Sequence, residues 1–196
     1  MTLKSPTVYG VGYLDDEKTV GNNGKHLLSY KCWQSMLERC YSSKFQEKCP
    51  TYIGCSVCES WKHYSIFKEW FNKNYYEIEG ENIQLDKDIL IDGNKLYSPD
   101  TCVFVPKKIN IIFRSMSKKS NLPMGVYYDK EKKKYRAQIN IDGKTKKLGR
   151  FSTPEEASQC YQIARSKYIL ELAEEYKDKI PNKLYKRLIK IATKIN

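Results

Sequence analysis

Residues 134–141, Lys-Tyr-Arg-Ala-Gln-Ile-Asn-Ile, alternate strictly. Tyr135, Ala137, Ile139 and Ile141 point one way, and Lys134, Arg136, Gln138 and Asn140 the other. That period of two predicts a half-buried strand. Asp142-Gly143 follows, a dipeptide suited to a two-residue hairpin because both central positions need positive φ. Residues 144–151 form the returning arm. Strict alternation there puts Lys146, Leu148 and Arg150 on one side and Thr145, Lys147 and Gly149 on the other. Residues 124–128 read as a shorter strand, separated from 134–141 by a charged turn at 129–133. Thr153-Pro154-Glu155-Glu156 then starts a helix: Thr caps, Pro takes the first helical position, and Glu156 closes a capping box. Ala157, Tyr161, Ala164, Tyr168 and Leu172 recur at helical spacing and face the sheet. Pro181 breaks this helix, and Leu184, Leu188, Ile191 and Ile195 mark a last amphipathic one.

The first half has a different texture. Residues 28–41 predict a helix with Trp33, Met36, Leu37 and Cys40 on one stripe, and 60–74 another with Trp61, Phe67, Trp70 and Phe71. Aromatic stripes at this spacing are core far more often than ligand sites. Further on, 84–91 reads as a strand, Asp92-Gly93-Asn94 as a turn, 102–105 as a second strand, and 107–114 as a helix with Ile109, Ile112 and Phe113 as its apolar side. The polar, basic stretch 115–122 reads as a linker. The expected fold is α+β: a helical region ending in a strand–strand–helix finger, then a three-stranded antiparallel sheet on one helix, then a C-terminal helix. Two domains are expected, 1–116 and 117–196.

Charge sharpens this picture. The 196 residues carry 35 Lys+Arg against 23 Asp+Glu, a formal +12. Between residues 118 and 150, eleven Lys or Arg face only Asp129, Glu131 and Asp142, so most of the excess lies in about one-sixth of the chain. Such concentration favours a nucleic-acid footprint over an evenly basic surface. No apolar run approaches the roughly 20 residues of a membrane span, and the start lacks the plan of a signal peptide. A cytoplasmic protein without a membrane partner is expected. Its seven cysteines are then thiols or metal ligands. Cys55-x-x-Cys58, with Cys40 and Cys49, suggests zinc, but no second close Cys or His pair accompanies it and His26 and His63 stand apart. Buried thiols account for these cysteines, and structural zinc is not expected.

Gly125-Val126-Tyr127, Tyr135-Arg136-Ala137-Gln138-Ile139, Leu148-Gly149-Arg150-Phe151 and Thr153-Pro154-Glu155-Glu156-Ala157 together resemble the Apetala-two/ethylene-response-factor DNA-binding domain over about 50 residues. That resemblance implies a sheet lying in the major groove of double-stranded DNA, with Tyr127, Arg136, Gln138, Asn140, Lys147 and Arg150 at the DNA. Gln138 and Asn140 suit adenine, Arg136 suits guanine, and lysines mainly neutralise phosphate. The plainer alternative is a solvated polar sheet face.

Leu85-Asp86-Lys87, Gly93-Asn94, Tyr97-Ser98-Pro99-Asp100-Thr101-Cys102 and Asn110 are similar to phage-type HNH endonucleases. Trp33, Met36–Cys40, Tyr52, Trp61, Phe67 and Trp70 resemble the helical lead-in of phage proteins that join such a finger to an Apetala-two domain. The resemblance implies an endonuclease or nickase in a host-cell cytoplasm, with Asp86 and Asn110 holding Mg²⁺ or Mn²⁺. Lys87 falls where the base histidine belongs, and Thr101 where an asparagine usually sits. An ordinary lysine, with a pKa of about 10.4, is protonated at neutral pH and cannot accept a proton from water. Burial, or ionisation of metal-bound water, would be the ways around that. The alternative is a non-cleaving DNA-binding regulator, or an inhibitor of host machinery with a host protein partner, that keeps the finger as a fold.

Overall fold

A computed structural model describes residues 6–16, 18–113 and 121–194. Lys118, Lys119, Arg114, Ile195 and most of the expected linker lie outside the described residues. The chain divides into two compact units, Met1–Pro106 and Lys107–Asn196. The helix of the expected finger therefore counts with the second unit. The mixed α+β class is as the sequence indicates.

In the first unit, helix α1 (Leu28–Tyr41) buries Trp33, Met36, Leu37 and Cys40, the expected stripe. Helix α2 (Ser43–Lys48) follows, its amide at Phe45 capped by the Ser42 hydroxyl. The expected helix at 60–74 is broken. A 3₁₀ turn at Glu59–Lys62 gives way to α3 (Tyr64–Asn74), with His63 extended between them. The cause is non-local: the Tyr13 amide donates to the Lys62 carbonyl, and the Tyr64 amide donates to the Tyr13 carbonyl. Asp15 secures the insertion, accepting from the Ser65 amide and hydroxyl at 2.8 Å each and pairing with His63 Nδ1 at 2.9 Å. A carboxylate from 50 residues away thus serves as the cap of α3.

Two short sheets complete this unit. Strand β1 (Ser56–Val57) runs parallel to β3 (Leu96–Tyr97), and β2 (Ile83–Asp86) antiparallel to β4 (Val103–Pro106). The core is aromatic: Trp61 meets Phe67 and Trp70, and Phe104 meets Trp70, Phe71 and Tyr75, with ring centroids 4.5–5.3 Å apart. Such pairs add to the area they bury. The strand expected at 84–91 stops at Asp86. Its Oδ1 accepts the amides of Asp88 and Ile89 at 2.8 and 2.7 Å, which turns the chain out of extension.

The second unit starts with α4 (Lys107–Phe113), with Ile109 buried. Strands β5 (Val126–Asp129), β6 (Lys134–Ile141) and β7 (Lys144–Phe151) form an antiparallel sheet in that order. Asp142 and Gly143 take φ of +49° and +77°, the hairpin geometry their residue types favour. Helix α5 (Pro154–Tyr176) begins with the expected capping box between Thr153 and Glu156. It packs Ala157 and Tyr161 on Val126, Ala137 and Ile139. Gly125 makes that approach feasible: at φ +77°, its missing Cβ would stand 2.0–2.5 Å from the Tyr161 ring. Helix α6 (Asn182–Thr193) buries Leu184, Leu188 and Ala192. Ile191, expected on its apolar side, is only half-buried.

Candidate nucleic-acid interface

Register decides which side chains share the face turned away from α5. Tyr127 stands opposite Arg136, and Arg136 opposite Arg150. Past a shift between Ala137 and Gln138, Gln138 faces Lys147 and Asn140 faces Thr145. Opposed residues project to the same side. Since Val126 and Ala137 are buried under α5, this set projects outward. All six residues expected at DNA, namely Tyr127, Arg136, Gln138, Asn140, Lys147 and Arg150, therefore meet on one face, joined by Thr145.

The shift corrects the alternation reading of 144–151. Leu148 is the extra residue of a β-bulge, lying between Lys147, paired with Gln138, and Gly149, paired with Ala137. In an unbulged strand, residues three apart point to opposite faces. Inserting one residue returns the second of them to the first one's side. Arg150 thereby joins Lys147 on the outward face, and Gly149 turns to the helix side. Leu148 packs against the small core beneath.

Arg136, Lys147, Gly149 and Arg150 line a shallow cavity of about 140 Å³ on this face. Arg150 is braced there, its Nε donating to Asp129 Oδ2 at 3.2 Å. The Lys132 amide, with Arg150, holds the Asp129 carboxyl below its ordinary value, so the brace stays ionised. Among the described residues the Arg136 side chain has no ion pair, and its Nε is buried with no hydrogen-bond partner. The sequence does not mark Asp129 as a partner of Arg150, because their contact spans 21 residues and depends on the bulge.

The residues expected at a metal and base site are placed differently. Asp86 lies at the end of β2, its Oδ1 occupied by the two loop amides. Burial pushes its carboxyl above the ordinary value. Lys87 is buried, and its ammonium donates to Asp88 Oδ1 at 2.5 Å and to the Asn94 carbonyl at 2.8 Å. Asn94 returns the contact through its side-chain amide, donating to the Lys87 and Leu96 carbonyls at 2.9 and 2.7 Å. This reciprocal clasp closes the 86–95 loop. Thr101 similarly ties its own loop, donating to the Leu96 carbonyl at 2.7 Å and accepting from the Ser98 amide at 3.1 Å. Asn110 lies on α4 in the second unit.

A carboxylate and an amide oxygen are the donor chemistry that Mg²⁺ or Mn²⁺ takes. On Asp86, however, one oxygen already serves the loop. No group of three or more His, Cys, Asp or Glu side chains that could hold a metal ion is found among the described residues. Among those residues, too, no helix is long and apolar enough to cross a membrane. No protein-family model, no curated protein and no solved structure matches the chain.

Proposed function

We propose that this protein binds double-stranded DNA through the outward face of its β5–β6–β7 sheet. The observation that carries this reading is the bulged register. It brings Arg136, Lys147 and Arg150 together with Gln138, Asn140 and Tyr127 on one side, while α5 takes the apolar side. Cations supply sequence-independent affinity for phosphate, and the two amides offer donor–acceptor pairs suited to base edges. Folding alone gives no reason to gather like charges there. A duplex partner fits the expected cytoplasmic setting of a phage-type protein.

For the first unit, the internal use of Lys87 favours the non-cleaving alternative, a DNA-binding regulator or an inhibitor of host machinery. A group that donates to Asp88 and Asn94 is occupied as a structural tie, not poised over a water. The HNH-type reading assigns a divalent ion to Asp86 and Asn110, where it would stabilise a leaving oxygen.

Titration of the full chain with duplex DNA tests the binding, comparing wild type with the Lys147→Glu/Arg150→Glu pair. The pair should lose affinity by at least about tenfold, since each phosphate contact is replaced by repulsion. Equal binding by both would refute the assignment. Plasmid nicking with Mg²⁺ or Mn²⁺, abolished in Asp86→Ala, would instead establish the nuclease.

A further inference from the structure

The cavity beside the bulge has properties that a flat, solvated sheet face does not require. The side chains of Arg136, Lys147 and Arg150 flank it from neighbouring strands, beside Gly149. Among the described residues, only one of the three is held by a carboxylate, through the Asp129 brace on Arg150. Among the described residues, the buried Arg136 Nε–H has no hydrogen-bond partner, an unmet donor that costs the folded protein stability.

We infer that this cavity is a seat for one phosphate group, a tetrahedral oxyanion gripped by Arg136, Lys147 and Arg150. The nucleic-acid source of that phosphate rests on the DNA-binding reading above, but the seat itself does not.

Three arguments favour an oxyanion over the edge of a base. A base edge is planar and takes one coplanar fork from a single guanidinium. Cations meeting around a concavity instead match an acceptor with oxygens in several directions. Arg150, fixed through Nε by Asp129, keeps its terminal amino groups for a ligand. The bulge supplies the third argument, because in a regular strand, with Leu148 paired rather than bulged, the charges of Lys147 and Arg150 would fall on opposite faces. Arg136 is thereby assigned to backbone phosphate, not to the guanine that the family resemblance implies. Sequence readout is left to Gln138 and Asn140.

The test has two arms on the full chain. In the first, inorganic phosphate is titrated while side-chain Nε–Hε and backbone amide NMR signals are followed. Saturable shifts are expected at Arg136, Gly149 and Arg150, and these should vanish in Arg136→Gln, whose remaining spectrum reports an intact fold. Shifts that are linear in phosphate, or spread evenly over all lysines and arginines, would overturn the seat. In the second arm, wild type and Arg136→Gln are compared on several duplex sequences at several salt concentrations. The variant should weaken every duplex by a common factor, about tenfold, and reduce the steepness of the salt dependence by about one. A changed ranking of duplexes would make Arg136 a base reader and refute the assignment. If wild type took phosphate saturably yet bound no duplex, the seat would stand with a free phosphoryl ligand and the DNA reading would fall.

Discussion

Gly125→Ala probes the joint that holds the sheet on its helix. Gly125 has φ +77°, and an added Cβ would lie 2.0, 2.3 and 2.5 Å from Cδ2, Cε2 and Cγ of Tyr161. Because Cγ itself is within 2.5 Å, rotating the ring about its own axis gives no relief. Tyr161, buried among the core side chains, has to move as a whole. The left-handed backbone costs a non-glycine residue about 1 kcal/mol, and forcing extra volume into a packed site adds about 1–3 kcal/mol. The total is about 2–4 kcal/mol. For a unit the size of Lys107–Asn196 this lowers the melting temperature by roughly 10–25 °C. Gly143→Ala is the matched control. It shares φ +77° but has nothing within 4 Å of the added Cβ, so only the backbone cost of about 1 kcal/mol applies. Thermal unfolding followed by far-UV circular dichroism measures both. Equal losses, or a Gly125→Ala loss below about 1 kcal/mol, would refute the close-packing argument.

Three further outcomes follow from the first unit. Burial alone would raise the Asp15 carboxyl, but the Ser65 amide and hydroxyl, with His63, hold it below its ordinary value. Its contribution is thus complete above the unfolded value of about 3.9 and disappears as pH falls through the lower folded one. Asp15→Ala should cost about 1–2 kcal/mol at neutral pH, as loss of a cap does, with the difference from wild type shrinking in acid urea titrations. Asp86 has the opposite sign. With its carboxyl raised by burial, ionisation opposes folding above the folded value and this penalty is relieved as pH falls. Asp86→Asn, which keeps an acceptor oxygen, should be at least as stable as wild type at neutral pH, whereas Asp86→Ala strands the Asp88 and Ile89 amides and should cost about 1–3 kcal/mol in urea unfolding. Finally, burial pushes the thiols of Cys32, Cys40 and Cys102 up to about 12, so mass spectrometry after alkylation at pH 8 should find them unmodified in the folded protein and modified in denaturant.

What the sequence discloses is what neighbouring residues decide. The capping box at Thr153, the Asp142-Gly143 hairpin and the stripes of α1 and α5 are local patterns, and each forms where its residues indicate. The departures arise at a distance. His63 is pulled out of helix by an isolated bridge to Tyr13, and β2 ends early because the Asp86 side chain outcompetes the ladder for two amides. At the face itself, alternation correctly groups Arg136, Gln138 and Asn140, and in Leu148-Gly149-Arg150 the one local hint of an extra residue is Gly149, since a glycine inside a strand pattern often marks a bulge. Only cross-strand register reveals that Arg150 stands with Lys147. The brace from Asp129 depends on that register too, and so is hidden from a reading along the chain.

The most direct measurement is the affinity of the wild-type chain for a duplex as a function of salt. With one phosphate seated among the three cations at the bulge, log affinity should fall against log salt with a slope of about −0.9 or steeper. No binding at low salt, or an affinity indifferent to salt, would contradict the account.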